Sequence, residues 1–267
     1  MAFESEPLNG QSWATQTYTD IGRVGAKEGS IAIIPVGSIE QHGHHLPVAT
    51  DTLLVDAIAR LGTEAVANEL PILVTPPVWT GLSPHHMAFG GTLTLSVETM
   101  LMLLEDIAES VLDNGFDALL FLNGHGGNMS LLGTAITKIG QSHPQAELQG
   151  LTYFQLAEPF VDEIRESEIG GMAHGGEFET SLMLHLYPDL VHIDDAEGTY
   201  LDDVYELRSK DMFKGGPLSV YRPFSTYSDS GAIGDPNLAS AEKGRKFCDR
   251  LETELANLLR AIHEENR

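Results

Sequence analysis

Apolar runs of strand length alternate along this chain with stretches of helical period, and two of those runs end in loops dense in histidine and glycine. That alternation restricts the fold to the α/β class with a mainly parallel sheet. Ile31–Val36 reads as a buried strand. Residues 52–70 follow with Leu53, Leu54, Ala57, Ile58, Leu61 and Ala65 at helical spacing. Ile72–Val74 is short and strand-like. Residues 96–114 are expected to be helical, with Ser96 as N-cap and Gly115 closing the end. Residues 118–122 form a second buried strand, Met129–Ser142 a helix, and residues 148–156 a third strand. Residues 181–187 and 239–263 read as helices, the second with Leu251, Leu255, Leu258 and Leu259 inward. Residues 197–237 are irregular and rich in Gly, Pro and Ser. No repeat or long linker divides the 267 residues, so one domain over 1–267 is the expectation.

Bulk properties exclude several function classes. The net charge is -24, from 39 acidic and 15 basic side chains, which disfavours nucleic acid and anionic membranes as partners. Dispersed acidic residues with few lysines resemble proteins of a high-salt cytoplasm, where screening reduces self-repulsion. Stability indifferent to molar salt would contradict that halophilic reading. No apolar run approaches the roughly 20 residues of a membrane span. Residues 1–9 show no basic and apolar leader pattern, so a cytoplasmic location is expected. The single cysteine, Cys248, excludes an intramolecular disulfide and falls in a helical stretch, where packing is its expected role.

Three motifs carry the chemistry. The first is Gly37-Ser-Ile-Glu40-Gln-His42-Gly-His-His-Leu-Pro-Val-Ala-Thr-Asp51, directly after the first strand. Imidazole and carboxylate without thiolate suit Zn, Mn or Fe. The alternative is a turn with a capping Asp51 and solvated histidines. The second is Asn123-Gly-His125-Gly-Gly-Asn128, after the second long strand and before a helix. Ligands of open α/β sheets gather at such strand ends. Gly126 and Gly127 would expose backbone amides there to substrate. A phosphate loop fails on detail, since no Lys-Ser/Thr follows the glycines. The third is His174-Gly-Gly-Glu-Phe-Glu179-Thr-Ser181, with Glu179 favoured over Glu177 as the inward carboxylate. A purely helix-capping carboxylate is the competing reading.

Together these motifs resemble the creatininase (creatinine amidohydrolase) family, and the likeness covers most of the chain. A weaker echo is Ser83-Pro-His85-His86-Met-Ala-Phe-Gly-Gly-Thr92. The resemblance implies a three-layer α/β/α fold, two divalent metal ions per chain, a hexamer, and cleavage of C–N bonds in small, often cyclic amides by a metal-bridged hydroxide. By position it implies Glu40 and His125 on one metal, His42 on the other, Asp51 bridging, and Glu179 completing the second site. His174 would be the catalytic proton shuttle, and His86 would face the substrate. Creatinine-hydrolysing members carry a glutamate where this chain has Gly127, and a Trp shortly before the position of His174. Here residues 169–172 are Ile-Gly-Gly-Met, which argues against creatinine itself as substrate. A formamide hydrolase acting on a ribosylaminopyrimidine phosphate would need Arg208, Lys210, Lys214 or Arg222 near the site. A peptidase would need an open groove. A metal-binding scaffold without turnover is the remaining, non-enzymatic class.

Overall fold

Strand β1 (Ile31–Val36) follows helix α1 (Tyr18–Gly25), and every residue of β1 is buried. A strand buried on both faces must be covered by helices on both sides, and the chain supplies them in order. Helix α2 (Thr50–Glu64) leads to β2 (Ile72–Val74), α3 (Val97–Leu112) to β3 (Ala118–Asn123), and α4 (Met129–Ser142) to β4 (Glu147–Thr152). The four strands pair in parallel in the order β2-β1-β3-β4. The computed structural model describes residues 10–201 and 205–267. The leader reading of residues 1–9 lies outside them.

Alternation along the strands sorts the core into two layers. Ile31 and Ile33 of β1 with Leu120 and Leu122 of β3 pack against Leu54 and Ile58 of α2. The same layer holds Leu251, Leu255 and Leu259 of α7 (Ala241–Glu265). Ala32, Ile34, Leu119 and Phe121 pack on the other face against Met100 and Leu104 of α3 and Leu132 and Ala135 of α4. The result is a three-layer α/β/α architecture. Beyond β4 come α5 (Val161–Ile164), β5 (Met172–His174) and α6 (Glu177–Leu186). Strand β5 pairs antiparallel with the short β6 (Ile233–Gly234), drawn from the stretch that looked irregular.

Several boundaries differ from the sequence reading, and those of α2, β4 and α6 have a visible cause. Helix α2 begins at Thr50, because the Thr50 N–H and hydroxyl both bond the Pro47 carbonyl. It ends at Glu64, where the backbone tightens to three-residue turns over 65–70. Strand β4 stops at Thr152, whose hydroxyl and the Gln155 side chain cap a 3-10 turn over Tyr153–Ala157. Helix α6 starts at Glu177, four residues before its expected start, so Glu179 lies in its first turn. Cys248 is buried in α7, and burial pushes its thiol up to about 12, so packing is the role its surroundings allow. No helix of the described residues is long and apolar enough to cross a membrane.

Candidate metal centre

The loop after β1 carries Glu40 and His42 to the carboxyl ends of the parallel strands. Asp51 arrives from the first turn of α2, and His125 from the residue pair after β3. His174 ends β5, and Glu179 comes from the first turn of α6. All six side chains are buried. Five separate segments of chain thus converge where open α/β sheets place their ligands.

Asp51 stands at the middle. Its Oδ1 is 3.1 Å from His42 Nε2, and its Oδ2 is 3.3 Å from His125 Nδ1. Glu179 Oε1 lies 3.8 Å from His42 Nε2, and Glu40 Oε2 lies 3.2 Å from His125 Nε2. Glu40, Asp51 and His125 form one group able to hold a cation, and His42, Asp51 and Glu179 form a second. In each, the donor atoms lie within 4.8 Å of one another. Glu40, His42 and His174 make a third group at the same limit, so the His174 ring also comes within reach of a cation.

Three buried carboxylates in one pocket lose hydration and repel, and only positive charge offsets that cost. Without a cation, protons take the part. Burial opposes charge on His42, but Asp51, Glu179 and Glu40 outweigh it and push its pKa up to about 10. Burial opposes charge on His125 too, and Glu40 with Asp51 lifts it well above the ordinary imidazole value. Burial would raise the Glu40 carboxyl, yet His125 holds it below the usual carboxylate range. Glu179 goes the other way, because burial and the neighbouring Asp51 raise it more than His42 lowers it.

The donor set fits divalent cations on a further count. Glu40 Oε1 and Asp51 Oδ2 are buried and accept no hydrogen bond among the described residues. Buried polar atoms are ordinarily satisfied, so unspent lone pairs on two clustered carboxylates point to a missing positive partner. The ligand types suit Zn, Mn or Fe.

Glu179 and Glu177 separate clearly. Glu177 accepts from Lys243 Nζ at 2.5 Å and from the backbone N–H groups of Glu166 and Ser167. It is committed away from the cluster, while Glu179 faces it. His45 is buried but bonds Thr180 Oγ1 at 3.0 Å, and His44 is exposed. His86 is buried with Nε2 3.2 Å from Glu40 Oε1. Gly126 and Gly127 lie on the exposed turn between β3 and α4. A side chain at 127 would collide with the His125 imidazole and come within 2.5 Å of the Leu82 carbonyl oxygen. The loop as built therefore has no room for a side chain at 127.

Other contributors gave no separate sequence signal. Ser83 Oγ donates to Glu40 Oε2 at 2.5 Å and Ser38 Oγ lies 3.0 Å from the same oxygen. Phe224, from the irregular segment, lays its ring 4.2 Å from His86 and 5.1 Å from His174. Small hydroxyls and a lone aromatic have no motif value until the fold sets them beside charge.

A family model described as creatinine amidohydrolase matches residues 14–259. The chain belongs to the creatininase family. Among its relatives is the mycofactocin precursor peptide peptidase of Mycobacterium tuberculosis (strain ATCC 25618 / H37Rv), 34% identical over 221 residues, 80% of this chain and 78% of that one. The 3-dehydro-scyllo-inosose hydrolase of Thermotoga maritima is 30% identical over 280 residues, 97% of this chain and 86% of that one. A solved creatininase designated Creatininase Mn superposes with a TM-score of 0.83 at 26% identity, covering 97% of this chain and 99% of that one. These creatininase-family proteins are hydrolases by name, and this chain is a creatininase-family amidohydrolase with residues able to bind metal.

Proposed function

We propose that the chain is a metal-dependent amidohydrolase that cleaves a C–N bond of a small amide, with Glu40, His125, Asp51, His42 and Glu179 holding two divalent cations. One observation carries this reading: the two Asp51 oxygens face the two groups separately. Two divalent ions held there would supply a water of lowered pKa and polarise the amide carbonyl. His174 moves the proton to the leaving nitrogen, since burial disfavours the charged form of its imidazole and leaves it neutral. Phe224 covers the rings of His86 and His174 and limits water on that side. The ions are Zn, Mn or Fe. We further read residues 1–267 as one domain of a cytoplasmic homo-oligomer, a hexamer by family resemblance. Exposed Trp79, Leu93 and Val97 give such self-association an apolar surface.

The bond could lie in a peptide, and one observation favours that second reading: the mycobacterial relatives are peptidases by name. The phosphate-bearing formamide has less support. Lys214 is committed to Asp162, and Arg208 and Arg222 pack around Tyr227, one ring beyond Phe224. The test is hydrolysis of a panel holding creatinine, a formylaminopyrimidine, short peptides and an inosose, by metal-loaded protein and by His174→Ala. Turnover of an amide, with His174→Ala retaining metal and losing about 10²–10⁴ in rate, is the expected result. Turnover of the inosose alone would overturn the C–N assignment. An unchanged rate in His174→Ala would remove it from the mechanism.

A further inference from the structure

Gln41 lies between His86 and His174, and its side chain has one permitted orientation. Oε1 accepts the Gly43 N–H at 2.9 Å, and Nε2 donates to the Gly231 carbonyl at 3.0 Å. Turning the amide over would set oxygen against oxygen and N–H against N–H. Backbone polarity therefore fixes the amide without reference to either histidine.

The second Nε2 hydrogen points to His86 Nδ1, 2.8 Å away. A nitrogen that accepts is bare, so the neutral His86 ring carries its hydrogen on Nε2. His174 is fixed by the backbone of the same glutamine. Its Nε2 is 2.6 Å from the Gln41 carbonyl oxygen, which can only accept. Nε2 of His174 therefore carries the hydrogen, and Nδ1 is bare. The 3.1 Å approach of Gln41 Nε2 to His174 Nε2 is then a contact between two N–H groups, not a bond.

The two nitrogens that face the cluster have opposite character. His86 Nε2–H is 3.2 Å from Glu40 Oε1, and bare His174 Nδ1 is 3.6 Å from the same oxygen. The rings are 4.5 Å apart beneath Phe224. His86 Nε2 is buried and makes no hydrogen bond among the described residues, so its donor is unspent. An unspent buried donor is costly unless something else uses it.

We propose that Gln41 is a positioning residue that fixes His86 as a hydrogen-bond donor through Nε2–H and His174 as a proton acceptor at Nδ1, and that His86 donates a hydrogen bond from Nε2–H to the acyl oxygen of the substrate. The donor's target rests on the amidohydrolase reading; the two tautomers do not. A donor aimed at an oxygen that gains charge in the transition state acts on kcat rather than on KM.

The test reads the tautomers directly. In zinc-loaded protein labelled with 15N-histidine, long-range proton–nitrogen correlations show which ring nitrogen bears hydrogen. Wild type is expected to show Nε2–H on both His86 and His174. Gln41→Glu sets a carboxylate oxygen where the donor was, and is expected to place a hydrogen on His86 Nδ1. A bare His86 Nε2 in wild type, or a His86 Nδ1 still bare in Gln41→Glu, overturns the positioning role. Should that variant fail to fold, the wild-type spectrum alone decides the tautomers. On the panel amide turned over fastest, His86→Phe is expected to lose about 10²–10³ in kcat with KM within about threefold, and His86→Gln to recover part. An unchanged kcat overturns the donor role. Tautomers as stated with no amide turned over would sink the amidohydrolase reading and leave the role of Gln41 standing.

Discussion

Asp51 offers one carboxylate oxygen towards His42 and the other towards His125, and this shared position divides five buried donors into two groups. The charges around it set a measurable consequence. Below the raised pKa values of His42 and His125, both rings hold protons whenever no cation is bound. A metal can use only neutral imidazole, so it must displace those protons. At pH 7 we expect between two and three protons released per chain as the metals bind, one each from His42 and His125 and part of one from Glu179, whose carboxyl is raised to about 7, and affinity that rises with pH across the neutral range. Calorimetric titration in buffers of different ionisation enthalpy measures that number. Binding without proton release would contradict the charge state assigned to the two histidines. At this scale the sequence was legible where ligand types cluster within one motif. Glu40, His42 and Asp51 share a loop and a helix start, so their convergence could be read from the chain. Gln41, Ser83 and Phe224 could not, because their parts depend on partners more than 40 residues away.

Elements place those residues by where they begin and end. Strands β1 and β3 were legible because a continuous apolar run leaves a buried parallel strand few alternatives. The starts of α2 and α6 were not, because both helices open with polar residues, whereas the Ser96 cap of α3 and the Met129 start of α4 fall where the sequence put them. Thr50 and Asp51 precede the first apolar residue of α2, and Glu177 and Glu179 stand in the first turn of α6. The hydrophobic period registers only after the functional turn has passed. Helix α6 is also pinned from outside, by the buried Lys243 of α7 bonding Glu177. A test of packing at this scale is Gly62, in the last turn of α2 against α7. A Cβ there would lie 2.5 Å from Leu255 Cδ2 and 2.9 Å from Leu255 Cβ. Gly62→Ala gains roughly 1 kcal/mol of helix propensity. It costs about 1–3 kcal/mol of overpacking in a layer with no slack. The second effect should win, lowering Tm by a few degrees at about 2–4 °C per kcal/mol. A raised Tm in a melting curve would show that the two helices are less tightly apposed.

The whole molecule is a parallel sheet between two helical layers, with the clustered carboxylates and histidines at the carboxyl ends of its central strands. Membership of the creatininase family agrees with that layout and with the spacing of the three motifs. The net charge of -24 says little about that site, since the candidate metal cluster uses only three of the 39 acidic side chains. What the molecule does turns on whether the buried carboxylates hold two cations. Metal content per chain, measured by elemental analysis on protein purified without chelator and on Asp51→Asn, asks this directly. The expected result is close to two divalent ions per chain in wild type and most of them lost in Asp51→Asn, because a neutral amide bridges two cations poorly. No more than trace metal in reconstituted wild type, or full occupancy in Asp51→Asn, would contradict a centre built on a shared Asp51.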